Sequence, residues 1–345
     1  MCPQPLPSFF GIAVFTLAAT VSASAQSFDA SWTEPSADRW NYGFNTTSGT
    51  RSVGSVFGYT GDLFEFDERD GQVIVQFDTS DLITPGLGPD RYQIKSIELT
   101  VMLSDPLLSG YDPTRDEWNT HLAPDDPDFE PDVDPGRPIE LFATGFRNGI
   151  EADTWTETTD FSLVGPFGKG VRSAYAAEID RKGSLLDVSN SISDRRTPTS
   201  LAVGIVEGAS AGAELPEGTV IRFTFDGSDP AAARWLAERL DAGRIHFSLS
   251  SLIEAQQQGG DFVNLYLREN PLVDAGVRSA ATLAISGIVE EACNDPGDLD
   301  HDCLVGGGDI GIILSLWGTD DPDADLDGSG LVDGGDFGIL LALFD

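Results

Sequence analysis

QVIVQFDTSDLITPGLGPDRYQIKSIELTVML, residues 72–103, holds two apolar runs joined by a turn-rich bridge. In 72–78, Val73, Val75 and Phe77 alternate with Ile74 and Gln76, and in 94–103, Ile97, Leu99, Val101 and Leu103 share one face. Successive side chains on a strand point to opposite faces, so a two-residue period reads as β-structure with one face turned to a core. Comparable short runs recur at 139–144, 201–206, 220–225, 244–250, 262–267 and 282–289. Strands at this spacing, without regular helices between them, predict a mainly β fold, an antiparallel, jelly-roll-like β-sandwich. One helix interrupts them. Asp229 can cap it, Pro230 takes the first helical position, AAARWLAERLDA follows and Gly243 can end it, with Trp235, Leu236 and Leu240 facing the sheet. Residues 105–137, rich in proline and aspartate, read as a solvated insertion, with a calcium site as the alternative.

Charge narrows the function. The 345 residues carry 57 Asp and Glu against 20 Lys and Arg, a formal charge of −37. Phosphate backbones are bound by clustered basic residues, so a nucleic-acid partner is excluded as an expectation. The 40% hydrophobic content is enough for a packed core and argues against a disordered acidic chain. Residues 1–25 read as a secretory signal: FFGIAVFTLAATV is too short to span a bilayer, and Ala23-Ser24-Ala25 is a small-residue cleavage site. Its first segment, MCPQPLPS, lacks the usual basic residue. No other run is apolar enough to span, so the expectation is a secreted or cell-surface protein. Removal of the leader leaves Cys293 and Cys303, which in an exported chain suggests one disulfide, with two unpaired thiols as the alternative.

The C-terminus carries a repeat. DLDHDCLVGGGD (298–309) precedes IGIILSLW, and 27 residues later DLDGSGLVDGGD (325–336) precedes FGILLALF. Twelve-residue calcium loops supply oxygens from positions 1, 3, 5, 7, 9 and 12, with glycine at 6 for the turn. The second loop offers Asp325, Asp327, Ser329, the Leu331 carbonyl, Asp333 and Asp336, with Gly330 at position 6. The first offers Asp298, Asp300, Asp302, the Leu304 carbonyl and Asp309, with Gly306 at position 9 and Cys303 at 6. From Ser279 to Asp345 there are fifteen acids and no Lys or Arg. Carboxylates that close repel one another, and two Ca²⁺ ions would offset the repulsion and let the apolar runs pack as short helices. A Cys293–Cys303 bridge would pin the entrance of the first loop, where glycine is missing.

The duplicated loop-plus-helix, ending in Asp at position 12, resembles a type I dockerin, and repeats of this kind resemble those closing many exported planctomycete proteins. The resemblance covers roughly 296–345 and implies a small all-α calcium-binding domain that attaches an exported protein to a cohesin-like or other surface protein. Positions 10 and 11, often Ser-Thr in cellulosomal dockerins, are here Gly307-Gly308 and Gly334-Gly335. Residues 72–103 resemble a strand–loop–strand stretch of DNRLRE-type carbohydrate-binding β-sandwiches, from which no site residue carries over. The domains expected are therefore a leader (1–25), a sandwich (26–289), a linker (290–297) and the paired calcium loops (298–345).

No catalytic residue can be assigned. The three histidines are His121 in the insertion, His301 at position 4 of a loop, and His246, expected on the solvated face of a strand. There is no nucleophile elbow, zinc motif or phosphate loop. The expectation is a non-catalytic exported calcium-binding protein. The alternatives are a dockerin-bearing glycoside hydrolase, whose two acids composition cannot single out, or a carbohydrate-binding module with a polysaccharide partner.

Overall fold

The computed structural model describes residues 25–59, 66–254, 262–290, 295–301 and 304–344. The leader expected at 1–25 lies outside these apart from Ala25. The chain divides into two compact units, Gln26–Val289 and a second containing Glu290–Asp345.

The strands, in chain order, are β1 (Ala25–Trp32), β2 (Ala37–Asn41), β3 (Val53–Val56), β4 (Gln72–Asp78), β5 (Tyr92–Met102), β6 (Leu107–Asp112), β7 (Arg137–Phe146) and β8 (Ala174–Ile179). They continue as β9 (Leu185–Asp187), β10 (Ala202–Val203), β11 (Ala213–Leu215), β12 (Val220–Phe225), β13 (Arg244–Ser251), β14 (Val263–Tyr266) and β15 (Thr282–Glu290). The helices are α1 (Pro230–Asp241), the single-turn α2 (Pro271–Asp274), α3 (Gly307–Ser315) and α4 (Gly334–Leu343).

Antiparallel sheet dominates and curls into a half-barrel. One sheet has the order β1-β15-β5-β12, and the larger runs β11-β6-β7-β13-β4-β2, with β8 and β10 joined at β7 and β9 joined to β8. The pair β6–β7 is parallel. The alternation in β5 is the one the sequence implies: Ile97, Leu99 and Val101 are buried, as is Leu103 just beyond. On its neighbour β12, Ile221 and Phe223 are buried, while Val220, Arg222 and Thr224 are exposed. These residues share one core with Val73, Val75 and Phe77 of β4 and Phe247 and Leu249 of β13. Burying an aliphatic or aromatic side chain of this kind stabilises by about 1.5–3 kcal/mol.

Helix α1 forms as its sequence dictates. The Asp229 carboxylate accepts from Ala231 N (2.8 Å) and Ala232 N (3.0 Å), Pro230 follows, and Gly243 turns the chain at φ 72°. Trp235, Leu236 and Leu240 are buried in the main core. Helix α2, capped by the Asn270 side chain on Leu272 N, was not expected.

His246 departs from its expected place. It is 1% exposed, its Nε2 pairs with Gln76 Oε1 at 2.9 Å, and Trp155 and Phe146 meet its ring edge-on at 5.4 and 5.2 Å. The reason is that β4 and β13 are covered on both faces. Ile74, on the opposite side of β4 from Val73 and Val75, packs in a second cluster with Ala37, Trp155 and Ala174. Burial, with Arg244 and Arg239 nearby, lowers the His246 pKa to about 3, so the ring is neutral.

Candidate metal centre

Two groups of carboxylates in the C-terminal unit have the geometry of cation sites. Oxygens of Asp298, Asp300 and Asp309 lie within 4.8 Å of one another, as do those of Asp325, Asp327 and Asp336. Ca²⁺–oxygen distances of 2.3–2.6 Å place two ligands on opposite sides of an ion about 5 Å apart, so both groups are of a size to share one divalent ion.

The backbone builds both in the same way. Asp309, three residues into the turn that opens α3, accepts from Leu299 N (2.6 Å) and Asp300 N (3.0 Å) through Oδ1 and from Gly306 N (2.7 Å) through Oδ2. In α4, Asp336 accepts from Asp327 N (3.0 Å) and Asp333 N (2.7 Å). The position-12 aspartate thus closes each loop back on its own helix start and lies where the helix dipole favours an anion. Burial pushes Asp309 up, but the amides of Gly306, Asp300 and Leu299 together hold it below the usual carboxylate range. The Asp333 amide, followed by that of Asp327, does the same for Asp336. Both carboxylates stay charged, as a cation ligand must.

The other expected ligands fall as follows. Asp325 accepts from Ser329 N (3.0 Å) and Gly330 N (2.7 Å), and Gly330 makes the turn at φ 89°. Ser329 Oγ lies 3.2 Å from the Leu331 carbonyl oxygen. Asp333 is outside the three-carboxylate group, and its side chain caps α4 on Gly335 N (2.7 Å). The side chains of Leu304 and Leu331 are exposed and carry no donor atom, so only the carbonyl oxygens could serve there. Asp302 lies outside the described residues.

Of the glycine pairs at positions 10 and 11, the second member has a steric reason, whereas a Cβ on Gly307 or Gly334 would meet nothing within 4 Å. A Cβ on Gly308 would overlap Asp300 Oδ2, and one on Gly335 would overlap Asp327 Oδ2. Glycine at position 11 leaves the space into which the position-3 carboxylate folds.

Beneath the loops is a duplicated core. Val305, Ile313, Ala324, Val332 and Leu340 are buried, flanked by Leu299, Ile310, Leu316, Leu326, Phe337 and Leu343. Val305 and Val332, Ile313 and Leu340, Leu299 and Leu326, Ile310 and Phe337, and Leu316 and Leu343 are each related by the 27-residue repeat.

The expected disulfide between Cys293 and Cys303 is contradicted. None of the three cysteines is paired at disulfide distance. Both residues lie outside the described segments. A bond requires the two Cα atoms within about 7 Å and suitably directed Cβ vectors, which a spacing of ten residues does not impose.

The large unit has two further acidic groups that sequence reasoning did not assemble, because their members are far apart in the chain or hidden in a proline-rich loop. One joins Asp38, Glu157 and Glu269. Arg268 knits it together, its amide donating to Asp38 Oδ2 (2.9 Å) and its Nε to Glu269 Oε1 (2.9 Å). Burial pushes the Asp38 carboxyl up to about 8 against that amide contact, with Glu269 and Glu157 adding to the rise. The other lies in the 105–137 insertion. Among the described residues no helix is long and apolar enough to cross a membrane.

No protein-family model matches the chain, and no curated protein matches it.

Proposed function

We propose that this is an exported calcium-binding protein whose C-terminal unit is a dockerin-like attachment module, carried by a β-sandwich of jelly-roll type. The ions are Ca²⁺, one in each loop: the donors are hard carboxylate and carbonyl oxygens, and Ca²⁺ accepts six to eight of these in a flexible geometry. The sandwich reading of Gln26–Val289 is supported by the single core that residues of both large sheets share.

The observation that carries the attachment reading is a duplicated apolar surface. Leu314 and Leu341, and Trp317 and Phe344, are related by the 27-residue repeat, and all four are between 46% and 56% exposed. Scattered exposed leucines are ordinary on a protein surface, but the same positions left apolar in both halves of a duplicated unit suggest a surface used for docking. Calcium would order the helices that present it. The partner expected is a cohesin-like or other surface protein.

The test grafts residues 290–345 onto a fluorescent carrier and measures attachment to cell envelopes of the producing organism. Attachment in calcium that is released by chelator, and lost in Leu314→Ser/Leu341→Ser while calcium binding persists, supports the reading. Attachment indifferent to both calcium and these leucines would remove it.

A further inference from the structure

The acidic group in the 105–137 insertion belongs to neither C-terminal loop. Strand β6 ends at Asp112 and β7 begins at Arg137, and the two run parallel with Tyr111 opposite Arg137 and Asp112 opposite Pro138. Because the pair overlaps only at these residues, the last of β6 and the first of β7, the connection, residues 113–136, leaves and re-enters the sheet at the same place. Gly136, at φ 110°, makes the return possible: a Cβ there would stand 2.6 Å from the Tyr111 carbonyl oxygen.

Closing the loop this way brings four carboxylates together. Oxygens of Asp112, Asp116, Asp132 and Asp134 lie within 4.8 Å of one another. Arg137 answers two of them, with Nη1 at 2.8 Å from Asp116 Oδ2 and 2.5 Å from Asp132 Oδ2. His121 Nε2 stands 3.7 Å from Asp116 Oδ2. Four carboxyl groups thus face one guanidinium.

Asp112 supplies a second and independent observation. The residue is fully buried. Its Oδ1 accepts from Thr114 N and Thr114 Oγ1, both at 2.7 Å. Its Oδ2 is buried with no hydrogen-bond partner, and so is Asp134 Oδ1. A buried carboxylate oxygen without a partner is destabilising, and two in one cluster are hard to sustain. Arg137, engaged with Asp116, Asp132 and Thr120, answers neither.

We infer that Asp112, Asp116, Asp132 and Asp134 form a calcium site that ties the 113–136 loop to the end of the β6–β7 pair. The all-oxygen donor set and the spacing fit Ca²⁺. Mg²⁺ dehydrates reluctantly and is seldom held by so many carboxylates, and a softer metal would be expected to recruit thiolate or more than one imidazole. The order Asp112-x-Thr114-x-Asp116, followed by Asp132-x-Asp134, places ligands at alternate residues on both arms of the loop, as a chain wrapped around an ion requires.

The test uses the protein from Gln26 onward. Bound calcium per chain is measured by equilibrium dialysis with elemental analysis, and amide exchange in 113–136 is followed with calcium, with magnesium and in chelator. The inference expects calcium to slow exchange in that loop. It expects Asp134→Asn, at a partly exposed position, to bind one ion fewer than the parent and to lose the calcium effect there while exchange in 298–344 stays calcium-sensitive. Asp112→Asn should behave alike where it folds. Loop exchange in the parent that ignores calcium overturns the inference, as does an unchanged ion count in Asp134→Asn. Equal protection by magnesium at the same concentration overturns the choice of ion.

Discussion

Replacing Asp309 by asparagine should reverse its effect when calcium is added. In chelator, Asp309 faces Asp298 and Asp300 at no more than 4.8 Å. Each pair repels by about 0.9 kcal/mol in bulk water and about 3.5 kcal/mol at an effective dielectric of 20. Asp300 is exposed and Asp298 and Asp309 are buried, so relief of roughly 2–4 kcal/mol is reasonable for the two pairs. Against it, the amide nitrogen cannot accept the Gly306 N–H that Oδ2 now takes, a loss of about 1–3 kcal/mol. The balance is near neutral or favourable. With calcium the sign changes. At free calcium one hundred times the dissociation constant, the wild-type site gains about 2.7 kcal/mol, and a site weakened about a hundredfold gains only about 0.4 kcal/mol. The assay is far-UV dichroism of residues 290–345, together with fluorescence of Trp317, the only tryptophan in that fragment. Asp309→Asn should show at least as much helix as wild type in chelator and clearly less in saturating calcium. The same loss in both conditions would mean that Asp309 serves only as a helix cap.

In the large unit, His246 has a pKa of about 3 when folded and an ordinary value when unfolded, so the unfolded state binds the extra proton and stability falls with pH below about 6.5. At pH 5 this amounts to about 2 kcal/mol, and His246→Gln should recover about that much relative to wild type between pH 7.5 and 5 in urea titrations; an unchanged difference contradicts a neutral buried ring. Asp229→Ala removes both side-chain caps of α1 and should cost about 1 kcal/mol by the same method, whereas no cost would place the helix stability elsewhere. Leu340→Ala opens a core of five buried residues and should cost roughly 3 kcal/mol, enough to keep the 290–345 fragment from folding in calcium; a native spectrum would show that the core contributes little.

The parts of this molecule that were legible in its sequence are those where chemistry fixes spacing. Calcium ligands must come at positions 1, 3 and 12, and the structure draws Asp298, Asp300 and Asp309, and their counterparts Asp325, Asp327 and Asp336, into two groups. A one-sided strand must alternate, and β5 and β12 do. Alternation ceases to mark solvent where both faces of a strand are covered. His246 sits opposite Phe247, and with Trp155 on it the alternation separates one core from another instead of core from water. Strand β6, LLSGYD, was hidden inside a proline- and aspartate-rich insertion, with Gly110 at φ 91° breaking its pattern. The group of Asp38, Glu157 and Glu269 was beyond reach for a different reason: its members meet only through the tertiary fold.

Calorimetric titration of residues 290–345 with calcium, paired with far-UV dichroism, tests the central claim most directly. The account predicts two ions bound per chain with a gain of helix on binding, both reversed by chelator. Absence of binding heat, with a spectrum that calcium leaves unchanged, would contradict it.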